Sequence, residues 1–244
     1  MNGTQIRGGG LNSTTTSIKF SDDIIGIGDG AFWDCQNFGH IDISNITYIR
    51  QHAFENCSAL TSVTFSKNIE NIGGSAFANC SQLQSVEFPV TLGKDWDDFG
   101  AYIFSNCQNL SHVLLPKGLD VIFEGMFQNC YNLYEITLSE DINYIDGYAF
   151  GNTNLSFISM PSNNGIYISD YAFSNINQDI ILDLQSEARY GQIGSNAFDG
   201  SNSVRIHVPD GSVNDFATSG NGWEAYYIYS DNGDYYDPNE QEEK

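Results

Sequence analysis

Basic residues are scarce in this chain: 9 lysines and arginines stand against 31 aspartates and glutamates, for a formal net charge of -22 over 244 residues. Such a field repels polyanions, which argues against nucleic acid and anionic lipid surfaces as partners. Long apolar runs are missing as well, and nothing approaches the ~20 consecutive apolar residues of a membrane-spanning helix. Met1 to Gly10 lacks the basic and apolar regions of a secretory signal, so the chain as it stands is expected to be soluble, without membrane insertion. Clustered metal ligands are also lacking. The 5 cysteines never form a Cys-x-x-Cys pair and the 4 histidines, His40, His52, His112 and His207, lie far apart, so no zinc site is expected. There is no Gly-x-Ser-x-Gly elbow, the four histidines fall in different repeats and the cysteines are expected to be buried and inert, so nucleophilic catalysis is not expected. The carboxylates Asp42, Glu87, Glu135 and Asp183 never fall in one repeat or in adjacent repeats, which leaves no opposed pair for glycoside hydrolysis.

What the chain does have is a period. Phe32, Phe54, Phe77, Phe104, Phe127, Phe150, Phe173 and Phe198 anchor eight copies of one unit, spaced by 22, 23, 27, 23, 23, 23 and 25 residues. A fixed period near 23 is the signature of stacked supersecondary units, each contacting only its neighbours. In the most regular copy Val63 and Phe65 alternate with Ser62, Thr64 and Ser66, the period-two pattern of a short strand with one buried face. The same alternation recurs in every copy, predicting nine short parallel strands. The segment from Gly73 to Asn79 is too short for a free helix and predicts a single helical or 3₁₀ turn that turns its Ala-Phe pair inward.

Two residues after each phenylalanine stand Asp34, Asn56, Asn79, Asn106, Asn129, Asn152, Asn175 and Gly200, the residue types that best tolerate a left-handed backbone. A positive φ is therefore expected at that place in each coil. Cys35, Cys57, Cys80, Cys107 and Cys130 share one repeat position. Thr153, Ile176 and Ser201 replace them in later copies, so a buried, reduced ladder with a packing role is expected.

The pattern Leu-x-x-Val-x-Phe-x-x-x-Ile-x-x-Ile-Gly-x-x-Ala-Phe-x-x-Cys, read from Leu60 to Cys80, resembles the BspA-like leucine-rich repeats of bacterial and protist surface proteins. The likeness spans residues 17 to 209, and the ending Ile206 to Val213 followed by Trp223 is similar to the way such arrays finish. It implies an α/β fold: a right-handed solenoid of about eight coils, with short parallel strands on the concave side and short helical or 3₁₀ turns opposite. It also implies a non-enzymatic adhesion or interaction protein at the cell surface or outside the cell, with no catalytic residues and no cofactor. On this reading residues 1–16 are a lead or cap, 17–209 the solenoid, 210–230 a C-terminal cap, and 231–244 an acidic tail expected to be disordered.

Candidate binding residues come from two places. The fourth repeat is four residues too long, and its insertion places Asp95, Trp96, Asp97 and Asp98 in one loop, where solenoids often carry function. The outward strand positions supply Glu87, His112, Leu114, Glu135, Phe157 and Ile181, with Leu114, Phe157 and Ile181 expected near one another as a protein contact. Calcium is a thinner reading: Asp95, Asp97 and Asp98, like Asp231, Asp234 and Asp237 in the tail, lack the EF-hand spacing. The expected partner is a protein, such as a host matrix or another surface protein, with a glycan reached through Trp96 as the alternative and a spacer without ligand as the third reading. A monomer or weak oligomer is expected.

Overall fold

A computed structural model describes residues 4–6, 17–37, 39–89, 100–160, 165–185 and 191–241. The alternation read from the sequence forms a first ladder of parallel strands, one per coil. Ser17–Lys19, His40–Asp42, Ser62–Thr64, Ser85–Glu87 and His112–Leu114 make one sheet, and Glu135–Thr137, Phe157–Met160, Ile180–Leu184 and Val204–His207 begin a second. The middle residue of each three-residue strand points into the core, as Val63 and Val86 do, both almost fully buried.

A second ladder stands beside the first, built from strands only two residues long over most of its length. Thr4–Ile6, Ile24–Ile27, Tyr48–Ile49 and Asn71–Ile72 form one sheet; Val121–Ile122, Tyr144–Ile145, Tyr167–Ile168 and Gln192–Ile193 form another. The isoleucine of each pair is buried while its neighbour faces outward. Residues 90–99, which include the inserted Asp95 to Asp98, lie outside the described residues. The Gly100 N–H donates to Ile72 O at 3.0 Å. A Cβ there would lie 1.9 Å from the backbone nitrogen of Gly74, so only glycine fits this approach.

The turn that carries the phenylalanine differs from the expected helical or 3₁₀ turn. Alternate amides point in different directions: Ala31, Trp33 and Cys35 donate to carbonyls three residues back, while Gly30, Phe32 and Asp34 donate to Gln51, Ala53 and Glu55 of the next coil at 2.8–3.0 Å. Consecutive i−3 bonds never accumulate, so no helix forms. The cause is a pair of positive-φ residues in most turns, as at Asn129 (φ 62°) and, four residues earlier, Gly125 (φ 57°). All eight positions two residues after the phenylalanine have positive φ, from Asp34 to Gly200. Among the described residues the only helices follow the array: Val213–Ala217 is α-helical, and Trp223–Ala225 and Pro238–Gln241 are 3₁₀.

Between the ladders lies one continuous apolar cluster from Ile27 to Ile228. The eight phenylalanines stack through it, with ring centroids 5.0–5.9 Å apart and interplanar angles of 8–19°. Both ends are closed by tilted rings, Phe20 on Phe32 and Tyr226 on Phe198. Trp223, almost fully buried, meets Phe216 edge-on at 5.6 Å beyond the last coil.

The four cysteines Cys57, Cys80, Cys107 and Cys130 are buried and unpaired, and Cys35 is half-buried. Burial pushes the thiol pKa values up, which keeps them protonated. Each buried thiol donates to the phenylalanine carbonyl of the preceding coil, as Cys107 Sγ does to Phe77 O at 3.2 Å. Ser201 Oγ makes the equivalent bond to Phe173 O at 2.6 Å. The column therefore adds a hydrogen bond to packing where a donor stands, at the four buried cysteines and Ser201, while the fully buried Ile176 holds the same position by packing alone.

Candidate binding surface

The outward residues of the first ladder form two rows whose register follows from the strand pairing. One row pairs His40 with Ser62, then Ser85 and His112; the other pairs Lys19 with Asp42, then Thr64 with Glu87 and Leu114. In the later coils Glu135, Phe157, Ile181, Arg205 and Tyr227 lie side by side, and Thr137, Ser159, Asp183, His207 and Tyr229 run parallel to them. The rows thus extend past the array, because Tyr227–Tyr229 adds a parallel strand and Tyr235–Tyr236 returns antiparallel to it. This hairpin occupies part of the acidic tail expected to be disordered, and described structure runs on to Gln241.

The apolar residues fall differently from the sequence expectation. Phe157 is 43% exposed and sits directly beside the half-buried Ile181. Leu114, 57% exposed, belongs to the other row two coils away, next to Glu87, so it does not join them. The alternation already puts Leu114 in the row of Glu87 and Phe157 and Ile181 in the row of Glu135, and the strand pairing has the same register. In place of Leu114 the structure supplies aromatic neighbours: Tyr227 stacks on Tyr235 at 6.0 Å, and Arg205, paired with Asp179 at 3.8 Å, lies between Tyr227 and Ile181. The signal for this extension was legible, since Tyr227-Ile228-Tyr229 repeats the outward-inward-outward alternation of every earlier strand.

A family model for the BspA type leucine rich repeat region matches the chain in six copies, over residues 11–96, 89–180 and 162–219. The chain belongs to the BspA-type leucine-rich repeat family. Among solved structures it is similar to a leucine-rich repeat protein from Bacteroides ovatus, with 21% identity and a TM-score of 0.52 over 80% of this chain and 56% of that one. It is also similar to a leucine rich cell surface protein from Faecalibacterium prausnitzii, with 17% identity and a TM-score of 0.50 over 85% and 83% of the two chains. At these identities the likeness concerns the fold. The chain spans 56% of the length of the first of these relatives. Among curated proteins, none matches.

Within this BspA-type array, polar groups gather at the C-terminal end of the second row. His207 Nδ1 lies 2.7 Å from Asp183 Oδ1 and its Nε2 lies 3.2 Å from Asp231 Oδ1, so one imidazole links the last coils to the tail. Ser159 Oγ donates to the other oxygen of Asp183 at 3.2 Å. Partial burial alone would lower the imidazole pKa, but the hydrogen bonds and charges of Asp183 and Asp231 outweigh it and raise it above the ordinary value. The raised value means that this link stabilises the folded chain fully below about pH 6.5, the unfolded histidine value, and that the contribution fades as pH rises through the folded pKa. We therefore expect the urea midpoint of the wild type to fall from pH 6 to pH 8 relative to that of His207→Gln. Parallel profiles for the two proteins would refute the link.

Among the described residues no group of three or more histidines, cysteines, aspartates or glutamates is placed to hold a metal ion. The tail carboxylates have partners within the chain, Asp231 with His207 and Asp234 Oδ2 accepting from Asn232 Nδ2 at 2.9 Å.

Proposed function

We propose that the chain is a non-enzymatic binding or adhesion module at a cell surface, which presents the outward face of its first ladder to a protein partner. The observation that carries this reading is the row Phe157, Ile181, Arg205 and Tyr227, set on adjacent strands and outward-facing in every member. Aromatic and arginine side chains dominate the energetics of protein contacts because they bury large area with few rotatable bonds. The strands hold the row on a rigid frame, so little ordering entropy opposes association. The surface location follows the family and the cell surface relative from Faecalibacterium prausnitzii.

Binding to a panel of immobilised extracellular matrix proteins, run beside a glycan array, tests the class of partner. Saturable binding in the protein arm supports the proposal. Signal confined to the glycan array assigns the chain to carbohydrate recognition, and silence in both arms leaves a spacer.

A further inference from the structure

The second ladder carries a groove of about 480 Å³ between the fifth and eighth coils, separate from the row just described. Tyr144 and Tyr167, in register on neighbouring strands, form one wall. Tyr148 forms the other, backed by Tyr171, which stacks on it at 5.3 Å and 5°. Three carboxylates, Glu124, Asp146 and Asp170, line the groove, and among the described residues no lysine or arginine does. Asp146 Oδ1 accepts from Gly147 N at 2.7 Å and Asp170 Oδ1 from Asn196 N at 2.9 Å. These bonds fix both carboxylates through one oxygen, and among the described residues neither Oδ2 accepts a hydrogen bond from the protein.

The array itself shows what such a site takes. Tyr48 occupies the repeat position of Tyr144 and Tyr167, and there the chain lays its own Arg50 guanidinium over the ring, 5.4 Å from the centroid. The position of Arg50 is filled by Asp146 and Ser169 in the later coils, so the same tyrosine column is present but the cation has been exchanged for a carboxylate and a hydroxyl. We infer that this groove binds lysine or arginine side chains of an extended basic peptide segment. The tyrosines attract a cation through their ring quadrupoles, the fixed carboxylates pair with it, and the net charge of -22 steers basic segments toward the surface. A neutral sugar would draw on neither the carboxylate charge nor the overall field, and two of the tyrosines already cover a face of each other.

The test is fluorescence anisotropy with a labelled octapeptide of alternating arginine and serine at physiological salt, beside the same peptide with glutamine for arginine and a neutral oligosaccharide. Asp146→Asn/Asp170→Asn keeps the Oδ1 acceptors and is expected to weaken arginine-peptide binding about tenfold, a loss of one charged contact set. Tyr144→Leu/Tyr167→Leu is expected to weaken it by about the same factor. Asp22→Asn/Asp23→Asn removes equal charge from the first coil and should change the affinity less than about twofold. Melting curves accompany each variant, and Glu124→Gln gives an independent reading if either pair fails to fold. Equal weakening by the groove pair and the first-coil pair would reduce the effect to the general field and overturn the inference. So would equal binding of the glutamine peptide or the oligosaccharide, or no binding of the arginine peptide.

Discussion

Phe127→Ala is expected to lower the stability of the chain by about 3–5 kcal/mol, with a matching drop in the urea midpoint. Phe127 has no solvent exposure and its ring is stacked on both faces, 5.9 Å from Phe104 and 5.6 Å from Phe150. Truncation therefore loses the transfer free energy of the ring and leaves a cavity in the middle of the stack. In a solenoid each coil is held mainly by its neighbours, so a central cavity weakens two interfaces at once. Phe198→Ala supplies the comparison. Phe198 is 7% exposed and stacks on one side only, with Tyr226 meeting it edge-on, so its loss should cost less. Equal costs at the two sites would count against the ladder as a chain of neighbour contacts.

Asn129→Val should cost about 3 kcal/mol, a large effect for a half-buried polar residue. Two mechanisms add. A β-branched residue at φ 62° carries roughly 1–2 kcal/mol of backbone strain. The amide also belongs to an asparagine ladder, donating to Asn106 Oδ1 at 2.7 Å and accepting from Asn152 Nδ2 at 2.8 Å, each bond contributing about 1 kcal/mol. Asn129→Gly separates the two, because glycine tolerates the left-handed backbone and loses only the bonds. We expect it to retain roughly a third to a half of the stability lost by the valine variant. Chemical denaturation of the three proteins in parallel provides the measurement, and identical midpoints for glycine and valine would remove strain from the account.

The positive-φ position at Asn129 was legible because every coil fills it with Asp, Asn or Gly, and the phenylalanine ladder because one residue type repeats. A second left-handed position four residues earlier was not legible. Gly30, His52, Ser75, Tyr102, Gly125, Tyr148 and Tyr171 occupy it, and they share no chemistry. Backbone bonds between coils set the conformation there, and the side chain follows. The same bonds explain why a helical turn was the wrong expectation: an isolated segment of that length would choose local i−3 bonds, whereas the stack offers half of its amides a partner in the next coil.

The two-residue strands of the second ladder fall below the length at which alternation can be recognised, which hid Tyr144 and Tyr167 as a column. Tyr102 shows how packing settles such a position: its ring lies where a Cβ on Gly125 would stand, at 2.2 Å, and its hydroxyl donates to Glu124 Oε1 at 2.6 Å. That bond, with burial and the charge of Glu124, pushes the phenol pKa up to about 12. On the first ladder, register was readable from the alternation, but which row a residue joins matters as much as which coil it belongs to. Leu114 and Phe157 fall in different rows by the alternation itself, and the offset between rows, added to two coils, is what their expected closeness left out. Asp95 to Asp98, the insertion that stood out most in the sequence, lie outside the described residues, and the candidate surface built here does not use them.

The extended row on the first ladder is the face proposed to bind a protein. Surface plasmon resonance over immobilised matrix proteins, with the wild type beside Phe157→Asp/Tyr227→Asp, tests it most directly. Saturable binding to at least one protein is expected, with a loss of at least about tenfold in the variant and an unchanged melting transition. Undiminished affinity in a folded variant, or no binding by the wild type, would contradict it.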